Sequence, residues 1–180
     1  MAILKKHDRF WREKVAVYGD YLPWNVHRAN GGSRENYPPH SGLILDLKKA
    51  GANAVKHFKE MIAPELSDGI VIVTVPSHDP AKPGKGLQSL AAALAESGSR
   101  VDGSACLVRS EKIEKLAHGG DRSKEVHLKS VTVAKPELIK GKEVLLLDDV
   151  TKTGNSLEAC QELLVKAGAK SVQCATIGKT

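Results

Sequence analysis

Aromatic residues are scarce in this 180-residue chain: Phe, Trp and Tyr together make up 4% of it. With so few rings, and with lysines and arginines scattered, no basic stripe interleaved with aromatics is present to grip nucleic acid. A net charge of +6 still favours anionic ligands. Polyphosphates and nucleic acid both qualify, but nothing further indicates nucleic acid. Cysteine is equally sparse. Cys106, Cys160 and Cys174 are odd in number, far apart and set in apolar stretches, and no Cys-x-x-Cys pair exists. That argues against a disulfide framework or a structural zinc and for buried free thiols. No apolar run approaches the roughly 20 residues that cross a bilayer, so no membrane partner is expected. The start, Met-Ala-Ile-Leu-Lys-Lys-His-Asp, meets charge too early for a signal peptide, and cytoplasm is the expected location. Apolar residues at 41% and charged residues at 27% fit a soluble globular protein. The length suits one ordinary domain with a small appendage.

What the chain does have is concentrated between Val144 and Ser156. Val144-Leu145-Leu146-Leu147 is an unbroken aliphatic run, the signature of a strand buried on both faces in a parallel sheet. It ends in adjacent carboxylates, Asp148 and Asp149, and then in the hydroxyl-rich turn Thr151-Lys152-Thr153-Gly154-Asn155-Ser156. A helix follows, with Leu157, Cys160, Leu163 and Leu164 on one stripe and Gly168 at its end. Asn155 with Glu158, or Ser156 alone, is expected to cap its start. The turn would aim N–H groups and hydroxyls at one point beside the positive end of a helix dipole, which makes an anion site suited to phosphate. Two carboxylates at its mouth would repel such a ligand unless they hold sugar hydroxyls or a divalent cation. A sugar phosphate satisfies both halves.

The flanking pattern places this strand in a doubly wound, mostly parallel α/β sheet. Residues 1–41 hold the Trp and Tyr residues, a short strand at Val15–Tyr18, and a broken Gly- and Pro-rich tract. They are read as an N-terminal extension or hood ahead of a core spanning 42–180. Leu43–Ile62 is helical in period with a break at Ala50-Gly51-Ala52, and Pro64 ends it. Ile70–Val75 is a second strand buried on both faces, running into Ser77-His78, and Gly84-Lys85-Gly86 opens an Ala-rich helix, Leu87–Ser97. Ser104–Val108 is a third strand, ending in Arg109. Residues 110–129 are expected to be a long loop, part helical at 111–117, with a short strand at Ser130–Val133 and a last one at Val172–Ile177. In open parallel sheets ligands sit at the carboxyl ends of strands, where Ser77-His78, Arg109 and Asp148-Asp149 are expected to converge. Gly178-Lys179-Thr180 imitates the end of a nucleotide-binding P-loop. The first glycine of that motif is replaced by Gln173, and no helix follows.

The run Leu145–Ser156 resembles the phosphoribosyl-pyrophosphate (PRPP) motif of type I phosphoribosyltransferases. The wider stretch Lys140–Ile177 resembles their ComF-like branch, without that branch's N-terminal zinc ribbon. The resemblance implies Asp148 and Asp149 on the ribose hydroxyls, with magnesium arriving mostly on PRPP. It implies Thr151, Lys152, Thr153, Gly154, Asn155 and Ser156 on the 5-phosphate. Ser77, His78, Lys85 and Gly86 would form the pyrophosphate loop, with Lys85 neutralising it. Arg109, Lys112 and Arg122, in a loop closing over PRPP, would hold the leaving pyrophosphate. The family's hood selects the acceptor, and its members are often homodimers. Three departures stand out: Lys152 where the family has threonine, Lys85 where the branch has arginine, and Glu125 where it has asparagine. The leading expectation is transfer of a phosphoribosyl group from PRPP to a nitrogen acceptor such as a nucleobase. Two rivals stay open: a non-catalytic sensor of PRPP or a nucleotide, and an accessory protein that handles nucleic acid.

Overall fold

The computed structural model describes residues 3–5, 7–82, 84–113 and 123–180. Its elements in chain order are β1 (Phe10–Trp11), β2 (Val15–Val17), α1 (Trp24–Ala29), α2 (Pro39–Lys48), α3 (Ala52–Ile62), β3 (Val71–Thr74) and α4 (Lys85–Glu96). Then come β4 (Val101–Asp102), β5 (Leu107–Arg109), α5 (Lys124–Ser130), β6 (Val131–Val133), β7 (Glu143–Thr151), α6 (Asn155–Lys166) and β8 (Ser171–Lys179). The main sheet runs β1-β2-β8-β7-β3-β4, and only the β1–β2 pair is antiparallel. No helix among the described residues is long and apolar enough to cross a membrane.

Val144–Leu147 is fully buried, as an unbroken aliphatic run at the sheet's centre requires. Successive side chains of a strand face opposite ways, so β7 feeds two cores. Leu145 and Leu147 pack with Ile72, Ile177, Leu47, Phe58 and Leu90 on the side of α2, α3 and α4. Val144 and Leu146 pack with Val73, Cys174, Leu157, Cys160 and Leu164 on the side of α6. All three cysteines are buried free thiols. The expected break between the first core helices is at Ala50, whose φ of 58° lies in the left-handed region and cannot continue a helix.

Two expectations need correction. The third strand does not join the parallel sheet. Leu107 and Arg109 are buried while Val108 is 45% exposed, an alternation that suits a ribbon covered on one face. β5 accordingly pairs antiparallel with β6, and the sheet's edge is β4, which the sequence reading overlooked. Residues 1–41 also contribute to the main sheet. β2 pairs in parallel with β8, Ala16 is fully buried in the core, and the 41/42 boundary falls inside α2. The partial helix expected over 111–117 falls largely outside the described residues, and Arg122 does too.

Candidate active site

β7 does not stop at Leu147. It continues through Thr151, paired with β8 as far as Lys179, so both aspartates belong to the strand. The alternation that splits the cores also splits the carboxylates between the two faces. Asp148 points to the α6 side, where its Oδ1 accepts the Asp149 backbone N–H at 2.8 Å and its Oδ2 accepts the Ser156 hydroxyl at 3.3 Å. Asp149 points to the α2 side, where its Oδ2 lies 3.5 Å from the Lys48 ammonium. Asp148 and Asp149 both line a cleft of about 380 Å³ over the strand ends.

The turn after β7 differs from the expected cap in one informative way. The N-cap is Gly154, at φ 84°, with no side-chain cap; Asn155 and Ser156 are already the first helical residues. Glycine is required there twice over. The left-handed backbone disfavours any other residue, and a Cβ would come within 2.8 Å of the Trp11 ring. The Asn155 N–H donates to Thr153 Oγ1 at 3.5 Å, and with a glycine as N-cap the positive dipole end of the helix faces the turn. Thr151, Lys152, Thr153, Gly154 and Ser156 line the cleft around it. Lys152, at the family's threonine position, is exposed.

Across the cleft, the segment after β3 contributes Ser77, His78 and Gly84. Lys85 and Gly86 behave differently. Lys85 is exposed on the first turn of α4 and does not line the cleft. Gly86 is buried, and a Cβ there would fall 1.5 Å from the Leu47 carbonyl oxygen; its glycine serves the close packing of α4 on α2. Arg109 is 5% exposed and lines a smaller cavity of about 90 Å³ that shares Ser77 and Gly84 with the cleft. Its guanidinium donates to the Ser77 carbonyl at 2.6 Å and to the Ser130 hydroxyl, and contacts His127 Nδ1 at 3.2 Å. Lys112 sits 3.9 Å from Asp79, its side chain largely exposed, and Glu125 is exposed on the first turn of α5.

Burial, followed by the charge of Asp149, pushes the Asp148 carboxyl from its ordinary 3.8 up to about 7. The Asp149 N–H, Lys48 and Ser156 pull the other way and are outweighed. Below and beside it, burial first and Asp148 second push the Cys160 and Cys174 thiols up to about 12, so neither is a nucleophile at neutral pH. Among the described residues, no group of three or more His, Cys, Asp and Glu side chains could hold a metal. A cation held at Asp148 or Asp149 would need further oxygens supplied by a ligand.

Several cleft residues escaped the sequence reading: Lys48, Tyr21, His127 and Thr180. Lys48 looks like any polar-face lysine in the helical pattern. Only the topology, which sets the C-terminal end of α2 beside the end of β7, turns it toward Asp149 and over the Tyr21 ring at 5.4 Å. Tyr21 is held in place by its neighbour: the Leu22 N–H donates to Ser41 Oγ at 3.0 Å, and the Leu22 carbonyl accepts the Tyr37 hydroxyl at 2.5 Å.

An open parallel sheet with a glycine-led helix start and two carboxylates at the end of its central strand places this chain among α/β proteins with a cleft at the strand ends. The family profile described as phosphoribosyl transferase domain matches residues 62–179, and the chain belongs to that family. It is 46% identical over 50 residues to an adenine phosphoribosyltransferase of Treponema denticola, a match covering 27% of this chain and 26% of the relative. The chain thus spans about a quarter of that relative's length. Among solved structures it is similar to a purine phosphoribosyltransferase from Pyrococcus horikoshii, with TM-score 0.35 and 16% identity over 91% of this chain and 88% of that one. It is also similar to a hypoxanthine phosphoribosyltransferase from Staphylococcus aureus, with TM-score 0.37 and 17% identity over 76% and 62% of the two chains.

Proposed function

We propose that the protein transfers a phosphoribosyl group from magnesium-bound PRPP to a nitrogen acceptor such as a nucleobase, releasing pyrophosphate. The observation that carries this reading is the glycine-led start of α6, set beside Asp148, which accepts the Ser156 hydroxyl, in the cleft that Asp149 also lines. The 5-phosphate sits on the α6 N-terminus and the Thr151–Ser156 turn, where the dipole and the hydroxyls compensate its charge. Asp149 accepts from the ribose hydroxyls, and Lys48 offsets the charge that would otherwise repel a polyphosphate. The pyrophosphate lies along Ser77, His78 and Gly84.

In the reaction the bond from C1 to the pyrophosphate oxygen breaks, its electron pair leaving on pyrophosphate. The acceptor nitrogen's lone pair forms the new bond to C1, and the N–H proton passes to pyrophosphate. Catalysis then rests on positioning and on stabilising the departing charge. The acceptor enters opposite the leaving group, along the wall of Tyr21, Pro23 and Lys48. In this reading Lys140–Ile177 belongs to the ComF-like branch, the chain can pair as a homodimer, as members of the family often do, and it works in the cytoplasm. Pyrophosphate release with a panel of bases tests the proposal, and no turnover with any of them would reject transfer.

One observation favours a second reading, PRPP sensing without transfer. Neither Lys85 nor Arg109 lines the cleft, and these are two of the cations that would hold a leaving pyrophosphate. Tight PRPP binding with no turnover would select this reading.

A further inference from the structure

The segment carrying Ser77–Asp79 is fastened to the end of β5 and the residues after it by three contacts. Arg109 Nε donates to the Ser77 carbonyl at 2.6 Å, the Ile113 N–H donates to the His78 carbonyl at 3.0 Å, and Lys112 pairs with Asp79 at 3.9 Å. Arg109 and Ile113 are both buried, and the Arg109 guanidinium also engages Ser130 and His127. Arg109 does not line the cleft, whereas two of its partners, Ser77 and His127, do, so it stands behind the residues that face a pyrophosphate there. Its effect on that ligand must run through the backbone.

A trans peptide is planar, with its C=O and N–H pointing in opposite directions. The Ser77 carbonyl is turned toward a guanidinium that lines the smaller cavity and not the cleft. The N–H of the same peptide, that of His78, points the opposite way, on a segment whose Ser77 and His78 line the cleft. Were this peptide to flip, a carbonyl oxygen would replace an N–H donor before a diphosphate, and attraction would become repulsion.

We propose that Arg109 is a positioning residue for pyrophosphate: by holding the Ser77 carbonyl out of the cleft it keeps the His78 N–H aimed at the anion. His127, which Arg109 contacts and which lines the cleft, is steadied by the same fork. The inference rests on the phosphoribosyl-transfer reading of the cleft, and it replaces the direct charge contact that the family resemblance implies for this arginine. A planar five-donor guanidinium can serve Ser77, Ser130 and His127 together, whereas an ammonium cannot.

The test is isothermal titration of wild type, Arg109→Lys, Arg109→Ala and Ser130→Ala with magnesium pyrophosphate and, separately, with ribose 5-phosphate. Both Arg109 variants should weaken pyrophosphate about tenfold or more, the scale of one lost charge-assisted hydrogen bond, and change ribose 5-phosphate less than about twofold. Ser130→Ala, which removes one anchor of the fork, should give a smaller loss confined to pyrophosphate; it decides the matter if the Arg109 variants do not fold. Retained pyrophosphate affinity in Arg109→Lys would mean that charge alone matters and would overturn the proposal. So would equal weakening of both ligands, the mark of a merely structural role, or wild-type pyrophosphate affinity in all variants. If wild type binds neither ligand, the transfer reading itself fails, an outcome separate from these.

Discussion

Replacing Asp148 with asparagine should stabilise the protein at pH 8. The carboxyl is 8% exposed, and burial with Asp149 beside it raises its folded value from 3.8 to about 7. Between those two values the native state keeps a proton that the unfolded chain has lost, so stability falls as pH rises. The slope is about 1.4 kcal/mol per pH unit for one proton. Over roughly three units the loss reaches about 4 kcal/mol, a large part of the ~5–15 kcal/mol that holds a typical domain together. Above the folded value both states are ionised and the loss stops growing. Asparagine cannot ionise, yet it can still accept the Asp149 N–H and meet Ser156. The variant should therefore escape the penalty without losing its local hydrogen bonds. Urea denaturation of both proteins at intervals from pH 5 to 8.5 measures this. Over this window the wild-type curve should drop by about 3 kcal/mol relative to that of Asp148→Asn, most steeply below pH 7. Parallel curves would refute the reasoning, because the carboxyl would then titrate alike in both states.

Other consequences follow from the same geometry. Gly154→Ala should destabilise by about 2 kcal/mol, because a left-handed backbone and the Trp11 ring both oppose a Cβ; thermal melts check it, and phosphate affinity should fall in parallel. Lys48→Met should alter stability at neutral pH by no more than about 1 kcal/mol, its ion pair with Asp149 being partly solvated. It should nevertheless raise the Asp148 carboxyl further, since Lys48 is one of the groups holding it down, and a pH-resolved melt series would detect that. Cys106, Cys160 and Cys174 should resist a thiol reagent in the native protein and react only on unfolding, burial having pushed all three thiols up.

The central sheet was legible because Val144–Leu147 and Ile70–Val75 are long aliphatic runs, and a run without alternation has few homes other than a doubly covered strand. The turn from strand to helix was legible because Gly154 and the hydroxyls around it are local chemistry. The face of each aspartate was implicit in the strand's period of two, but the reading stopped β7 at Leu147 and so missed that Asp148 and Asp149 part to opposite sides. Lys48 was invisible because it reaches the site through tertiary packing of α2 on the sheet. Arg109 and Gly86 were recognised as positions of interest, but a string of letters does not distinguish an arginine that meets a ligand from one buried behind the loop. Nor does it distinguish a glycine that admits a phosphate from one that admits a neighbouring helix.

The account stands or falls on whether a phosphorylated ribose occupies the end of β7. Isothermal titration of the wild type and of Asp149→Asn with magnesium and PRPP asks this directly. Saturable one-site binding, weakened about tenfold or more when Asp149 loses its charge, is the predicted result. No heat of binding, or equal affinity in the two proteins, would contradict it.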